Sequence, residues 1–146
     1  MKFAEFFAGQ QIDAGSYELS RTDSLEFARA YDPQWFHTDP IAAQQGPFDG
    51  LIASGWQTCG IAMRLAVDRI LHDSESFASP GVENIRWPHP VRPGDTLSLR
   101  VTVLEVRRSN SKPHLGILTW RWQLFNGEAK EVLDMKATNL FNLAVP

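Results

Sequence analysis

Residues 32–71, DPQWFHTDPIAAQQGPFDGLIASGWQTCGIAMRLAVDRIL, decide the fold of this chain. Their second half, Ser54–Leu71, contains no proline and repeats apolar side chains at the three- and four-residue spacing of one helix face. Its first ten residues carry no charge. We therefore predict one long buried helix over this range, preceded by a polar, turn-rich segment that carries Asp32 and His37.

Charge and composition exclude several classes of protein. Arg64, Asp68 and Arg69 interrupt the apolar run before it reaches the length that a bilayer requires, so the helix is predicted to lie in a core and not in a membrane. The 146 residues, 43% of them hydrophobic and 21% charged, are typical of one soluble globular domain spanning residues 1–146. A net charge of −3 without a basic stripe argues against nucleic acid or anionic membrane as a partner.

The cysteine and histidine content limits the possible chemistry. Cys59 is the only cysteine, which rules out a disulfide within the chain and favours a reducing compartment. The N-terminal residues lack the apolar region of a signal peptide, so we expect a cytoplasmic location. His72, His89 and His114 have no matched set of ligands around them, and we expect neither a metal nor a cofactor.

Short elements are predicted before the long helix from caps, prolines and alternation. Pro33 is expected to end the first helix, and Gly46–Gly50 reads as a loop. The predicted elements are a strand over Ser16–Ser20, a helix over Ser24–Tyr31 capped by Thr22 or Asp23, and a helix over Ile41–Gln45 with Pro40 in its first turn and Asp39 as its cap.

After the long helix, the apolar spacing changes from helical to alternating, which indicates strands. Asn126-Gly127 is a strong short signal for a β-hairpin, and Pro93-Gly94-Asp95 reads as another turn. The predicted strands run over Val82–Trp87, Leu97–Val103, Leu118–Leu124 and Leu133–Thr138. One helix and four or five antiparallel strands give an α+β fold in which the helix lies on the concave face of a curved sheet.

Two motifs carry a resemblance to a known family. The stretch AYDPQWFHTDPIAA, followed by GLIASGW at the start of the helix, resembles the hydratase motif of the MaoC-like dehydratases, the (R)-specific enoyl-CoA hydratases. The stretch GVENIRWPHPVRPGDTL resembles the strand and turn that follow the helix in that family. The resemblance spans residues 27–104 and implies the hotdog fold, in which a sheet wraps a central helix.

The resemblance implies a catalytic site. It places the family's catalytic pair on Asp32 and His37, and its oxyanion donor on the backbone N–H of Gly55. Hydration of an unsaturated thioester needs a base for water, an acid for the α-carbon and a donor for the carbonyl oxygen. The resemblance assigns the water to Asp32 and proton donation to His37. Bulky or polar neighbours of these groups are expected to contact substrate, namely Trp35, Phe36, Ser54 and Trp56.

The chain also departs from the family motif. Gln34 stands where asparagine is common, Trp35 where proline is common, and Ser54 where histidine is common before the glycine. A family serine that supports the aspartate from within the helix is replaced by Met63 or a neighbour.

Several functions are compatible with these features. The favoured one is a hydro-lyase that adds or removes water across the 2,3 double bond of an acyl-CoA or acyl-carrier-protein thioester. A hotdog thioesterase would need a carboxylate and the helix N-terminus but not His37. A non-catalytic acyl-thioester binder is favoured by the missing serine. The resemblance also implies a homodimer. From the residues themselves, Trp87, Trp120 and Trp122 are expected in the core or at a dimer contact.

Overall fold

The computed structural model describes residues 1–144, which form five strands and a central helix with shorter helices before it. In chain order the elements are a 3₁₀ turn (Phe3–Glu5), β1 (Gln11–Glu18), α1 (Arg21–Tyr31), α2 (Trp35–Thr38), α3 (Pro40–Gln44), α4 (Gly55–Ala66), a π-helical turn (Val67–Leu71), β2 (Ser76–Arg86), β3 (Thr96–Arg108), β4 (Leu115–Phe125) and β5 (Glu131–Asn142). Across this part of the chain, no helix has both the length and the apolarity to cross a membrane.

The strands form one antiparallel sheet in the order β1–β3–β4–β5–β2. The central three strands follow one another in the chain, as the alternating sequence predicts. Strand β1 precedes the helices and pairs with β3, while β2 pairs with β5, so that β1 and β2 are the two edges. This arrangement confirms the predicted α+β class.

Helix α4 is the central helix that the sequence predicts. The hydroxyl of Ser54 caps its N-terminus by accepting the Trp56 N–H at 3.3 Å. The helix contacts β1, β3, β4 and β5 through one face, on which buried side chains recur every three or four residues. Its buried residues are Thr58, Ile61, Ala62, Leu65 and Ala66. The predicted range to Leu71 is confirmed as helical, although its last five residues form the π-helical turn.

Most of the core comes from strand positions that alternate. Four alternate residues of β3 and four of β4 are buried, and they form one cluster with α4: Leu97, Leu99, Val101 and Val103, then Leu118, Trp120, Trp122 and Leu124. Phe3 and Phe6 extend this cluster from the N-terminal segment. Alternation therefore predicted the inward face of both strands correctly.

The edge strands are longer than their sequences indicate. Strand β1 begins at Gln11. Its first residues were missed because a bulge at Gly15, where φ is +81°, breaks the alternation between Asp13 and Ser16. Strand β2 begins at Ser76 and contains Pro80, which an edge strand tolerates since one side of it needs no ladder hydrogen bonds. Both predicted ranges were too short at their N-terminal ends and too long at their C-terminal ends, where β1 stops at Glu18 and β2 at Arg86.

One local prediction, the cap of the first helix, was wrong. Helix α1 begins at Arg21, and its cap is Ser20, whose hydroxyl accepts the Asp23 N–H at 3.1 Å. Neither Thr22 nor Asp23 is the cap. The hairpin predicted at Asn126-Gly127 is confirmed, because β4 and β5 pair antiparallel and Asn126 pairs with Lys130 across the loop between them.

Two other details refine the sequence reading. In the loop after Asn126, Ala129 adopts the left-handed conformation, with φ at +61°, and the Asn126 side chain accepts the Glu128 and Lys130 N–H groups. By contrast, the cap of α3 is confirmed, because Asp39 accepts the N–H groups of Ile41 and Ala42.

The two buried tryptophans of β4 allow a matched test of one hydrogen bond. The Trp120 indole N–H donates to Asn139 Oδ1 at 3.0 Å, whereas the Trp122 indole N–H is buried without a partner among residues 1–144. We expect Trp120→Phe to lower the free energy of unfolding by about 1–3 kcal/mol more than Trp122→Phe, because it also leaves the buried Oδ1 of Asn139 without its donor. Urea unfolding of both variants measures the difference, and equal losses would contradict this assignment.

Candidate active site

An apolar cavity of about 350 Å³ lies at the N-terminal end of α4. Its walls come from the lead-in to α4, the first turn of that helix and the segment after β2. The lining residues are Asp32, His37, Phe48, Ile52, Ala53, Gly55, Trp56, Thr58, Trp87, Pro88, His89, Pro90, Val91 and Val132. Three predicted catalytic residues, Asp32, His37 and Gly55, therefore share one cavity.

Asp32 and His37 are in direct contact. Asp32 is the residue that ends α1, and Pro33 follows it, so the chain turns there before the single helical turn of α2 begins. This turn points His37 back, and its Nε2 lies 3.1 Å from Asp32 Oδ2. The His37 side chain is 6% exposed and that of Asp32 is 16% exposed. The pair is thus largely withdrawn from solvent.

A backbone carbonyl fixes the orientation of the His37 ring. Nδ1 lies 2.7 Å from the carbonyl oxygen of Ile52. Because a carbonyl only accepts, Nδ1 must carry the hydrogen. Nε2 is then the nitrogen that gains and loses a proton, and it is the one that faces Asp32 and the cavity.

Asp32 is held as a carboxylate by three neighbours. Partial burial works against its ionised form, but hydrogen bonds from the Gln34 amide and the Ser54 hydroxyl, and the charge of His37, together lower the pKa of Asp32 below its usual value. Gln34 Nε2 donates to Oδ1 at 2.7 Å, and Ser54 Oγ donates to Oδ2 at 2.8 Å. Asp32 is therefore ionised at neutral pH.

The start of α4 supplies a backbone donor. Ser54 accepts the N–H groups of the three residues after Gly55, through its hydroxyl for Trp56 and through its carbonyl for Gln57 and Thr58. The N–H of Gly55 has no hydrogen-bond partner in residues 1–144. Such an N–H at the positive end of a helix can stabilise a developing oxyanion.

Gly55 is also a position where no side chain fits. A Cβ placed there would lie 2.5 Å from the indole of Trp87. The Trp87 ring in turn meets the Trp56 ring edge to face, with centroids 5.6 Å apart. Two tryptophans therefore stand beside the backbone donor, and the close approach of one of them requires glycine.

The residues expected to contact substrate are distributed unequally. Trp56 lines the cavity and is 60% exposed. Trp35 and Phe36 do not line it, because successive residues of the α2 turn point about 100° apart and only His37 faces inward. Trp35 packs against Gly46 instead.

Ser54 and Met63 have places that the sequence did not indicate. Ser54 is fully buried, and its hydroxyl is directed at Asp32, so it supports the carboxylate and does not face the cavity. Met63 is 41% exposed and lines a different groove beside β2. A serine thus supports Asp32 from the cap of the helix.

Sequence reasoning missed the wall of the cavity opposite α4. Trp87, Pro88, His89, Pro90 and Val91 form it. The Ala53 N–H donates to the Val91 carbonyl at 2.7 Å and fastens this wall to the start of α4. The stretch WPHPV lies within a motif quoted for the resemblance, but nothing in its spacing indicates that it faces Asp32. Within residues 1–144, no three His, Cys, Asp or Glu side chains group as metal ligands.

Comparison with known proteins places the chain among relatives of similar sequence. The MaoC like domain family matches residues 5–119. YdeM from Bacillus subtilis is 33% identical over 134 residues, which are 92% of this chain and 94% of YdeM. The 3-hydroxyacyl-thioester dehydratase Z from Mycobacterium tuberculosis is 31% identical over 90 residues, and the match covers 60% of each protein.

A solved structure shows the same fold. The crystal structure of the MaoC-like dehydratase from Rhodospirillum rubrum superposes with a TM-score of 0.88 and 34% identity, covering 95% of this chain and 94% of that one. The five-stranded sheet around a central helix is the hotdog fold, as the resemblance implied.

Proposed function

The chain belongs to the MaoC-like dehydratase family, and on that premise we propose that it is a hydro-lyase acting on enoyl thioesters. In this proposal it interconverts a trans-2-enoyl thioester and the (R)-3-hydroxyacyl thioester by adding or removing water. The observation that carries the proposal is the contact of 3.1 Å between His37 Nε2 and Asp32 Oδ2 beside the Gly55 N–H. The names of the Rhodospirillum and Mycobacterium relatives support the same class of reaction.

The proposed reaction uses each of these groups once. A water on the cavity side of the pair gives its proton to the ionised Asp32, and its oxygen forms a bond to C3 of the substrate. The electron pair of the double bond moves toward the thioester, whose carbonyl oxygen accepts the Gly55 N–H. One such donor typically lowers a barrier by about 3 kcal/mol.

Protonation of C2 completes the addition. His37 Nε2–H gives its proton to C2, the carbonyl re-forms, and the water has been added across the double bond. The proton held by Asp32 then passes to His37 over their contact of 3.1 Å, which restores the starting state. The oxygen bonds to C3 and the proton to C2 from the same face of the substrate, so the addition is syn.

Hydration of a panel of trans-2-enoyl-CoA thioesters from C4 to C12 tests this function. Loss of the enoyl absorbance is followed while free coenzyme A is measured in parallel. Hydration without thiol release is the expected result. Thiol release without hydration would replace the proposal with a thioesterase, and binding without either reaction would replace it with a thioester-binding protein.

A cytoplasmic location stays a prediction from the sequence alone. We also propose that the protein forms a homodimer along β2. Nearly all side chains of β2 are exposed, and Phe77 and Val82 are 59% and 46% exposed. Beside this edge, Met63 and Val67 of the helix side are also exposed and apolar. An apolar sheet edge next to an apolar groove favours pairing with a second copy.

A charged residue at this edge is expected to weaken the dimer. Val82→Lys places an ammonium group where the second copy would pack, and we expect a shift toward monomer in size-exclusion chromatography with light scattering. Gln11→Lys adds the same charge to the other edge strand, β1, and is expected to leave the oligomer unchanged. A wild-type monomer, or an equal shift in both variants, would contradict the β2 interface.

A further inference from the structure

The hydroxyl of Ser54 joins two parts of the cavity that are far apart in sequence. It accepts the Trp56 N–H at 3.3 Å and donates its hydrogen to Asp32 Oδ2 at 2.8 Å, across 22 positions of the chain. The side chain has no exposed surface, so water does not compete for these bonds. One buried hydroxyl therefore both caps α4 and binds the carboxylate.

We infer that Ser54 is a positioning residue, which fixes the Asp32 carboxylate relative to the backbone N–H of Gly55. This inference rests on the proposed function, in which those two groups act on the same substrate. Ser54 directly precedes Gly55, so a hydrogen bond from Ser54 ties the carboxylate to the part of the chain that carries the oxyanion donor.

The other contacts of Asp32 cannot do this. Gln34 holds Oδ1, but it lies only two residues away in the same turn and moves with Asp32. His37 contacts Oδ2 and is itself a reacting group, so its proton leaves during the reaction. Without Ser54, no described hydrogen bond joins the carboxylate to α4, and the terminal torsion of an aspartate is soft.

The direct test replaces Ser54 by alanine. We expect Ser54→Ala to lower kcat by about 10- to 100-fold, the range for losing a hydrogen bond to a charged group, with little change in KM. We also expect the acidic limb of the kcat/KM profile to move to higher pH, because the lost donor stabilised ionised Asp32. Ser54→Thr retains a hydroxyl and should recover part of the rate.

Loss of the helix cap is controlled separately. Ser20→Ala removes the equivalent cap from α1, where the hydroxyl accepts the Asp23 N–H and has no contact with Asp32. Both alanine variants lose a helix cap in thermal unfolding, and Ser54→Ala is expected to lose more stability than Ser20→Ala because it also loses the buried hydrogen bond to Asp32. Only Ser54→Ala should lose kcat, and equal kinetic losses would overturn the inference.

A measurement without catalysis separates this inference from the proposed function. The Asp32 carboxyl carbon is titrated by NMR in the wild type and in Ser54→Ala, where its midpoint should rise. His37 contacts Asp32 from α2, and His89 lines the same cavity from the segment after β2, so both rings are followed in the same titration. An unchanged Asp32 midpoint would overturn the inference. If the midpoint rises in Ser54→Ala but the wild-type protein hydrates no substrate, only the proposed function is rejected.

Discussion

Asp32→Asn is expected to lower kcat/KM for enoyl-thioester hydration by about 10²- to 10⁴-fold, the range for removing a general base. The amide has almost the same shape and can still contact Gln34 or Ser54, but it cannot accept the proton of the attacking water. Steady-state hydration kinetics measure the loss. The pH profile gives a second reading of the same group.

The sign of that pH dependence follows from the lowered pKa of Asp32. Asp32 is ionised at pH values well above its lowered pKa, so this carboxylate is in its active form at neutral pH. On the acidic side, activity should fall as the pH drops through that pKa, below the ordinary range of an aspartate. In Asp32→Asn this acidic limb should be absent from whatever rate remains.

Asp39→Asn is the matched control for this variant. It makes the same chemical change seven positions along the chain, at an exposed residue that caps α3, and asparagine caps a helix about as well as aspartate. We expect hydration near the wild-type rate. A retained rate in Asp32→Asn, or an equal loss in Asp39→Asn, would contradict the assignment of Asp32 as the base.

His37→Ala is the second change with a large expected effect, again about 10²- to 10⁴-fold in kcat/KM for hydration. It removes the proposed donor to C2 and the group that takes the proton back from Asp32. It also separates two reaction classes, because hydrolysis of the thioester does not need a proton delivered to C2. Enoyl absorbance and free coenzyme A are therefore followed together.

The fold of this variant must be checked, since the His37 ring is buried and holds the Ile52 carbonyl. His37→Asn keeps a donor close to that carbonyl and lacks the Nε2 proton, so it should be folded and still inactive. His72→Ala removes an exposed histidine far along the chain and should hydrate normally. Full hydration by either His37 variant would remove histidine from the proposed mechanism.

The contact between Asp32 and His37 was predictable from a motif, whereas its surroundings were not. The five-residue spacing and Pro33 are local features, and the resemblance assigned the pair directly. The supporting contacts cross longer stretches: Ser54 reaches Asp32 over 22 positions, and Ile52 reaches His37 over 15. We predicted from the sequence that Ser54 contacts substrate, but its hydroxyl binds Asp32 instead. The sequence does not show whether a side chain beside a glycine at a helix start faces the ligand or the protein.

The aromatic residues near the motif show the same limit. Trp35, Phe36 and Trp56 are all large aromatic residues in or near the motif, yet of these three only Trp56 lines the cavity. Trp87 covers Gly55 from the segment after β2, 32 positions away. No periodicity within either segment indicates that contact, because it depends on how the end of β2 meets the start of α4.

The sequence by itself determined the α+β class, the central helix and the inward faces of β3 and β4, because helical and alternating spacings record local geometry and burial. The family motif also predicted that Asp32 and His37 belong together, and their side chains lie 3.1 Å apart. The tertiary structure alone decided which residues hold them: the helix cap that binds Asp32, the carbonyl that orients His37 and the tryptophan beside Gly55. These contacts join segments whose relative placement depends on the packing of the whole sheet around α4, and local sequence patterns do not encode that placement.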